Sequence, residues 1–377
     1  MNDERKKIII YTWNNISKAY SCLHYLKNQL EKTSTVECWS LTPSECISSP
    51  KQNSYYSFYD LKCWKLKGIR HFIIFYNVYK RMIDNPDDIY IINDLKFFHT
   101  AYLAKKKNPN IIIIHYNTEI PGKDVKVPYF VRHFYSRFAD FPDVIIDCLL
   151  ERAEWRKNTY NIQKDIYVIN NTLPKDVLDN SSDYDVENII HKAGDRKILL
   201  YAGGINKSRN LYEIADCIPL FDNDVFFLFY CYGSDDDLKI LKILQDKYEK
   251  YNNFMFCKSI DRNDLIKVMK ICDIGVNYYD PKFSINHLYS SPSKLFEYMA
   301  CGMNIISTKN VGVDRIIIGD DLGVCINENE SFADALQRLL LKGLKEKEYI
   351  SNIFSSKYEY SIDSSKALEV ISGYLGI

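Results

Sequence analysis

The sequence predicts an α/β protein built from two domains, each a parallel sheet covered by helices. Three observations carry this. Short β-branched runs alternate with longer stretches of helical period along nearly the whole chain. The runs are apolar throughout rather than alternating, as expected of strands buried on both faces. The alternation pauses once, at a polar stretch over residues 179–197, and then restarts. A length of 377 residues suits two domains of about 150–200 residues each.

The elements follow in order. Residues 7–12 (KIIIYT) read as a strand. Residues 17–31 have helical period, with Tyr20, Leu23, Leu26 and Leu30 on one face. Residues 88–92 (DIYII) and 110–115 (NIIIIH) are strands separated by a helix rich in Phe, Tyr and Lys. Strands at 143–146 and 166–169 complete the first half, and Leu173-Pro174 leads into the polar stretch. Beyond it, residues 197–202 (KILLYA), 225–232, 253–257, 274–278, 304–307 and 323–326 read as strands. Helices are expected at 211–217, 236–250, 263–271, 292–301 and 364–375. Helical crossovers between such strands require parallel pairing, so each half is Rossmann-like. Ligands of such sheets bind at the carboxyl ends of the strands. The boundary is placed at 175/176, giving domains 1–175 and 176–359, with a final helix over about 360–377 packing back on the first.

Composition excludes several classes. The chain is 46% hydrophobic and 26% charged, the balance of a folded protein rather than a disordered one. No apolar run approaches the roughly 18–20 residues that cross a bilayer. The apolar run ending near Tyr11 is short, and no small-residue cleavage site follows it. A cytoplasmic location is therefore expected. The 11 Cys include no CxxC pair and read as reduced, mostly buried thiols; no His/Cys group has zinc spacing, so no metal site is expected.

Two segments carry candidate chemistry. In Tyr201-Ala202-Gly203-Gly204-Ile205-Asn206-Lys207-Ser208-Arg209-Asn210, a strand ends in two glycines, cations follow and a helix begins. Backbone N–H groups and cations there suit a diphosphate, although a plain strand-to-helix turn with surface cations explains the same residues. No GxGxxG and no GxxxxGK[ST] is present, which argues against NAD and P-loop chemistry.

The second segment is Ser290-Ser291-Pro292-Ser293-Lys294-Leu295-Phe296-Glu297-Tyr298-Met299-Ala300-Cys301-Gly302. Ser291 suits an N-cap, Pro292 the first helical position and Gly302 the stop. Lys294 then lies at the positive helix end, with Glu297 three residues on along the same face. That carboxylate suits two vicinal hydroxyls of a ribose; a well-capped surface helix with an internal ion pair is the other reading.

In this order and about 85 residues apart, the two segments resemble the donor half of GT-B glycosyltransferases, specifically the family 4, or group 1, type. Residues 292–300 and Gly302 match that family's P-S/N-K-L-F-E-Y-M-A-x-G helix almost letter for letter. The resemblance implies two Rossmann-like domains with parallel sheets facing across a cleft. It also implies a nucleotide-sugar co-substrate, UDP- or GDP-linked, with no other cofactor. Gly203, Gly204, Lys207 and Arg209 would then hold the diphosphate together with Ser293, Lys294 and Leu295, and Glu297 the ribose. Gly233 would lie beside the nucleotide, and residues 256–260, with Ser259, would frame the base. Arg209 and Lys294 would stabilise the leaving diphosphate. In the first half, residues 143–146, Glu151-Arg152-Ala153 and 167–174 are similar to the family's run before its linker. His115-Tyr116-Asn117-Thr118-Glu119 resembles the strand end lining the cleft, which makes His115 and Glu119 catalytic candidates; a strand-end histidine without a role remains open for His115.

The chain also departs from the pattern. Tyr289 stands where the first of two Glu is usual, with His287 and Asn286 nearby; Thr118 stands where a His is usual. Gly204 replaces an Arg, and Arg209 replaces a Lys, keeping the charge. Trp13-Asn14-Asn15 occupies the place of a Gly-rich loop. Asp235-Asp236-Asp237 has the look of a metal motif but suits an acidic helix start.

The resemblance implies a retaining, metal-independent transferase moving a sugar to an acceptor hydroxyl, a glycan or lipid-linked glycan of bacterial-type surface polysaccharide. A GT-B sugar-nucleotide epimerase and a non-catalytic nucleotide-binding partner are the alternatives. Residues 59–82 interleave Lys62, Lys65, Lys67, Arg70, Lys80 and Arg81 with Trp64, Phe72, Phe75, Tyr76 and Tyr79. The zero net charge hides an asymmetry: residues 1–175 carry 26 basic and 18 acidic side chains, and the remainder 23 and 31. A basic first half suits an anionic membrane surface, at the inner face of the plasma membrane, or a lipid-diphosphate acceptor. No nucleic-acid-binding module is visible.

Overall fold

The computed structural model describes residues 6–13, 21–40, 55–58, 69–121, 127–179 and 182–376, without the side chains of Ser21 and Lys207. Two compact units divide the chain. One is 1–171 with 363–377, the other 172–362.

The first unit holds a seven-stranded sheet: β1 (Lys7–Tyr11), β2 (Thr35–Ser40), β3 (Tyr55–Ser57), β4 (Ile89–Ile92), β5 (Ile112–Asn117), β6 (Val144–Asp147) and β7 (Ile166–Val168). Their order is β3-β2-β1-β4-β5-β6-β7, and every pair is parallel. The order reverses direction between β1 and β4, the switch point at which doubly wound sheets open a crevice. Ile8, Ile9 and Ile10 are all fully buried, which requires helices on both faces. On one face, Ile9, Tyr11, Tyr90 and Ile92 pack with Ile74, Val78 and Met82 of the Arg70–Asp84 helix and Phe97 and Ala101 of the Leu95–Lys107 helix.

The second unit holds β8 (Lys197–Gly204), β9 (Val225–Tyr232), β10 (Phe254–Lys258), β11 (Ile274–Asn277), β12 (Asn304–Thr308) and β13 (Gly323–Ile326). The order β10-β9-β8-β11-β12-β13 is again parallel throughout and again reverses once, between β8 and β11. Both units are thus α/β and Rossmann-like.

Two expectations change. Strands β2 and β3 are absent from the sequence reading. β2 alternates buried and half-buried positions (TVECWS), so it lacks the continuous apolar run that marks the central strands. The polar stretch 179–197, where the alternation pauses, has structure of its own. It carries the Glu187–Ala193 helix, and its residues are tied to the second unit. Ser182 Oγ donates to Asp264 Oδ1 at 2.6 Å, Lys267 Nζ donates to the Ser182 carbonyl at 3.0 Å, and the Tyr184 and Tyr230 hydroxyls meet at 2.8 Å. The last helix, Ser365–Leu375, belongs to the first unit, where Asn170 donates from its backbone and side chain to the Asp363 carboxylate, both at 2.6 Å.

Candidate functional site

The carboxyl edge of the second sheet collects the residues singled out above. β8 keeps its register through Gly203 and Gly204, opposite Cys231 and Tyr232, so the glycines close the strand and the turn starts only at Ile205. A Cβ at Gly204 would stand 3.2 Å from the Tyr232 ring. Residues 207–209 form a single 3-10 turn, and Asn210 takes the left-handed conformation (φ 43°) before the short Leu211–Ala215 helix.

Arg209 leaves this turn towards β11, across the switch point. Its Nη1 donates to the Tyr278 carbonyl at 3.2 Å, and its guanidinium lies 3.3 Å from the centre of the Tyr279 ring. Its Nε is buried and has no partner. A half-buried cation with an unused, buried Nε at a strand-end crevice is a ready anion partner. The loop it touches is fixed: Asn310 Nδ2 donates to the Tyr279 and His287 carbonyls at 2.7 and 2.8 Å, and Tyr279 N donates to Thr308 Oγ1 at 2.9 Å.

The Ser293–Ala300 helix begins at the same edge. Its N-cap is Pro292, with φ −77° and ψ 129°, and Ser293 is the first helical residue. The expected Ser291 cap is therefore corrected by one position: Pro292 keeps an extended ψ, so the helix starts after it. Ser290 Oγ is buried just before this turn without a partner. Every residue from Leu295 to Ala300 is buried. The helix fits because β11 carries Gly275; a Cβ there would stand 2.5 Å from the Tyr298 ring. Leu295 itself is core, and its N–H is bonded to the Pro292 carbonyl at 3.2 Å, so it offers no group to a ligand, contrary to expectation.

A carboxylate on a buried helix must be paired. Glu297, 3% exposed, accepts from Arg262 Nε and Nη2 at 3.0 and 2.8 Å on Oε1, and from Lys294 Nζ at 2.7 Å on Oε2. Burial pushes its pKa up, but the Lys294 and Arg262 charges outweigh that and hold it below the usual value. The trio carries one surplus positive charge, and its two cations are 25% and 35% exposed. Sequence reasoning missed Arg262. The signal was a cation at the first position of a helix, against the macrodipole, which calls for an acidic partner.

The remaining residues are spread along the edge. A Cβ at Gly233 would stand 2.7 Å from Asp237 Cβ, because the next helix starts with a capping box between Ser234 and Asp237. The Asp235–Asp237 run is this acidic helix start. Ser259 is exposed at the end of edge strand β10, its N–H bonded to the Cys231 carbonyl at 2.8 Å. The side chain of Lys207 lies outside the described residues, as do residues 59–68 of the basic aromatic stretch and the Asn14-Asn15 step.

In the first unit, His115 is 1% exposed between Phe98 and Tyr135, with ring centroids at 4.9 and 5.5 Å. Burial, helped by the Arg156 charge, lowers its pKa well below the ordinary value, so it is neutral. Neither ring nitrogen has a partner. It borders a 40 Å³ polar cavity together with Asn93, Asp94, Thr118 and the exposed Glu119. Among the described residues, no three His, Cys, Asp or Glu side chains are grouped to hold a metal ion, and no helix is long and apolar enough to cross a membrane.

Residues 185–355 match the family of group 1 glycosyl transferases. No curated protein matches the chain in sequence. Among solved structures, a glycosyltransferase from Rickettsia africae is similar at a TM-score of 0.75 and 15% identity, covering 98% of this chain and 99% of that one. Anabaena HepE in complex with UDP is similar at 0.74 and 14%, covering 98% and 100%. The sucrose-phosphate synthase of Thermosynechococcus elongatus is similar at 0.69 and 13%, covering 99% and 98%. Residues 185–355 thus carry the match to group 1 glycosyl transferases, and the chain shares the GT-B fold of these solved structures.

Proposed function

We propose that the enzyme moves a sugar from a nucleotide-sugar donor, UDP- or GDP-linked, to an acceptor hydroxyl, with retention and without a metal. The observation that carries this is Arg209, a half-buried cation with an unused Nε at the β8/β11 switch point. The Lys294–Glu297–Arg262 trio stands on the same sheet edge. The bond from the anomeric carbon to the diphosphate oxygen breaks, and the acceptor oxygen forms the new one as its proton passes to the released diphosphate. Arg209, Lys294 and the free N–H groups at Ser293 stabilise the departing diphosphate, the electrostatic role that Mg²⁺ plays elsewhere. Glu297 takes the ribose through the remaining lone pairs of Oε2, which receives one bond where Oε1 receives two. Ser259, Gly203, Gly204 and Gly233 lie along the approach of the nucleotide. Glu119 and the cavity beside His115 serve the acceptor. The acceptor itself is a lipid-linked glycan of surface polysaccharide assembly. The enzyme works against the anionic inner face of the plasma membrane, in keeping with the basic first half.

A thermal-shift panel of sugar nucleotides tests the donor. A ligand at 100 times its Kd adds about 2.7 kcal/mol. If neither UDP nor GDP derivatives stabilise the protein, the site assignment fails. Turnover in EDTA checks metal independence, and the anomeric configuration of the product checks retention. Tyr289 and Thr118, where Glu and His are usual, favour the second reading, a nucleotide-binding partner without turnover; product formation from donor and acceptor would end it.

A further inference from the structure

The first unit carries an aromatic groove that the transfer reaction as described leaves unused. It lies among the Arg70–Asp84, Leu95–Lys107 and Tyr129–Phe138 helices and encloses about 710 Å³, in the range of small-molecule sites. Phe72, Phe75, Tyr76, Leu103 and Phe130 supply apolar walls, and a second apolar cavity of about 400 Å³ adjoins it across Phe130. Phe72 and Phe130 are 74% and 70% exposed, an unusual cost for isolated aromatics on a water-facing surface.

The groove has a polar end. There Lys96 Nζ sits 3.9 Å over the Trp13 ring. Trp13 follows β1 and Lys96 opens the helix after β4, so this end lies at the switch point of the first sheet, where doubly wound sheets take substrates. Lys96 is half-buried and lines the groove, and its Nζ lies 3.9 Å from Asp94 Oδ2, which borders the cavity beside His115. Arg137 of the third helix lines the adjoining cavity and adds a second cation.

We infer that this groove holds the hydrocarbon chain of a single lipid whose phosphate head is met by Lys96 at the sheet edge. The assignment rests on the proposed lipid-linked acceptor and names the part of the molecule that binds it. Charge supports this occupant: a neutral apolar ligand needs no cation at the inner end, and a bilayer surface needs no enclosed cavity.

The test is equilibrium binding of farnesyl phosphate below its critical micelle concentration, with farnesol and inorganic pyrophosphate as partial probes. Wild type is expected to bind farnesyl phosphate more tightly than either. Leu103→Trp, made at a position 44% exposed, fills the groove and weakens binding about tenfold or more, and Lys96→Gln erases the preference for the phosphate over farnesol. Circular dichroism and UDP binding of both variants keep the readout separate from folding. No binding by wild type, or wild-type binding by Leu103→Trp, overturns the assignment. So does sedimentation with phosphatidylglycerol vesicles lost in Phe72→Ser while farnesyl phosphate stays unbound, since that marks a membrane surface only. So does a dimer in solution that buries Phe72 and Phe130. If farnesyl phosphate binds and UDP does not, the donor reading fails and the groove stands.

Discussion

Each unit places one buried carboxylate between two cations at the carboxyl edge of its sheet, and the two clusters differ in exposure. In the first unit, Asp147 at the end of β6 accepts from Arg156 Nε at 2.7 Å and meets Arg152 Nε at 3.2 Å, with all three side chains at most 4% exposed. Arg156 is also bonded to Tyr135 Oη at 2.8 Å and the Glu119 carbonyl at 3.2 Å, and Asp147 Oδ1 accepts the Cys148 N–H at 2.8 Å. In the second unit, Glu297 is as deeply placed, but Lys294 and Arg262 reach solvent. The closed cluster is a structural knot, because its charges have nowhere else to go. The open one can trade part of its pairing for a ligand. Two sheets whose first six strands follow the same order therefore carry different chemistry, since function resides in the edge residues and not in the topology.

The largest expected effect breaks the closed cluster. Asp147→Ala leaves Arg152 and Arg156 buried without a counter-charge and should cost about 3–5 kcal/mol in urea unfolding, leaving UDP affinity per folded molecule unchanged. Glu297→Ala should cost less, about 2 kcal/mol, because solvent screens the partly exposed cations. Unlike the first substitution, it should also weaken UDP binding. Equal losses from the two would erase the distinction. Arg209→Ala sharpens it further: about a 10- to 100-fold loss of UDP affinity in calorimetry, with a stability cost of about 1 kcal/mol from the lost bond to the Tyr278 carbonyl and the Tyr279 contact.

The smallest effect is set by pH. His115 is held neutral in the folded state, with its pKa well below the ordinary 6.5, so the unfolded chain binds the extra proton. Its contribution to stability is full above pH 6.5 and is lost as pH falls from there towards the folded value. A His115→Phe variant should lack this component of the acid slope below pH 6.5. Glu297 acts lower. Its folded pKa lies below the ordinary 4.5, so its contribution persists above that value and disappears as pH drops through the lower folded one.

The strands legible in the sequence include the continuous apolar runs β1, β4, β5, β8 and β9 and the half-buried edge strands β7 and β10. β2 escaped because its burial alternates along the strand, and β3 because it spans only three residues. The site was legible where one segment held the chemistry, in residues 201–210 and 290–302. It was not where partners came from separate elements, as with Arg262 and Glu297, 35 residues apart.

The sequence by itself determined the repeated strand–helix alternation, the family signature on residues 292–302 and the opposite charge of the two halves, because composition and periodicity are local properties. Tertiary structure alone decided which charges are satisfied. It left donors of Arg209 and Arg152 open while pairing Arg156 with Asp147, buried Leu295 and His115, and gathered aromatics of three helices into one groove. The physical reason is that the cost of a charge or an exposed ring depends on what surrounds it, and neighbours distant in sequence are fixed only when the chain has folded.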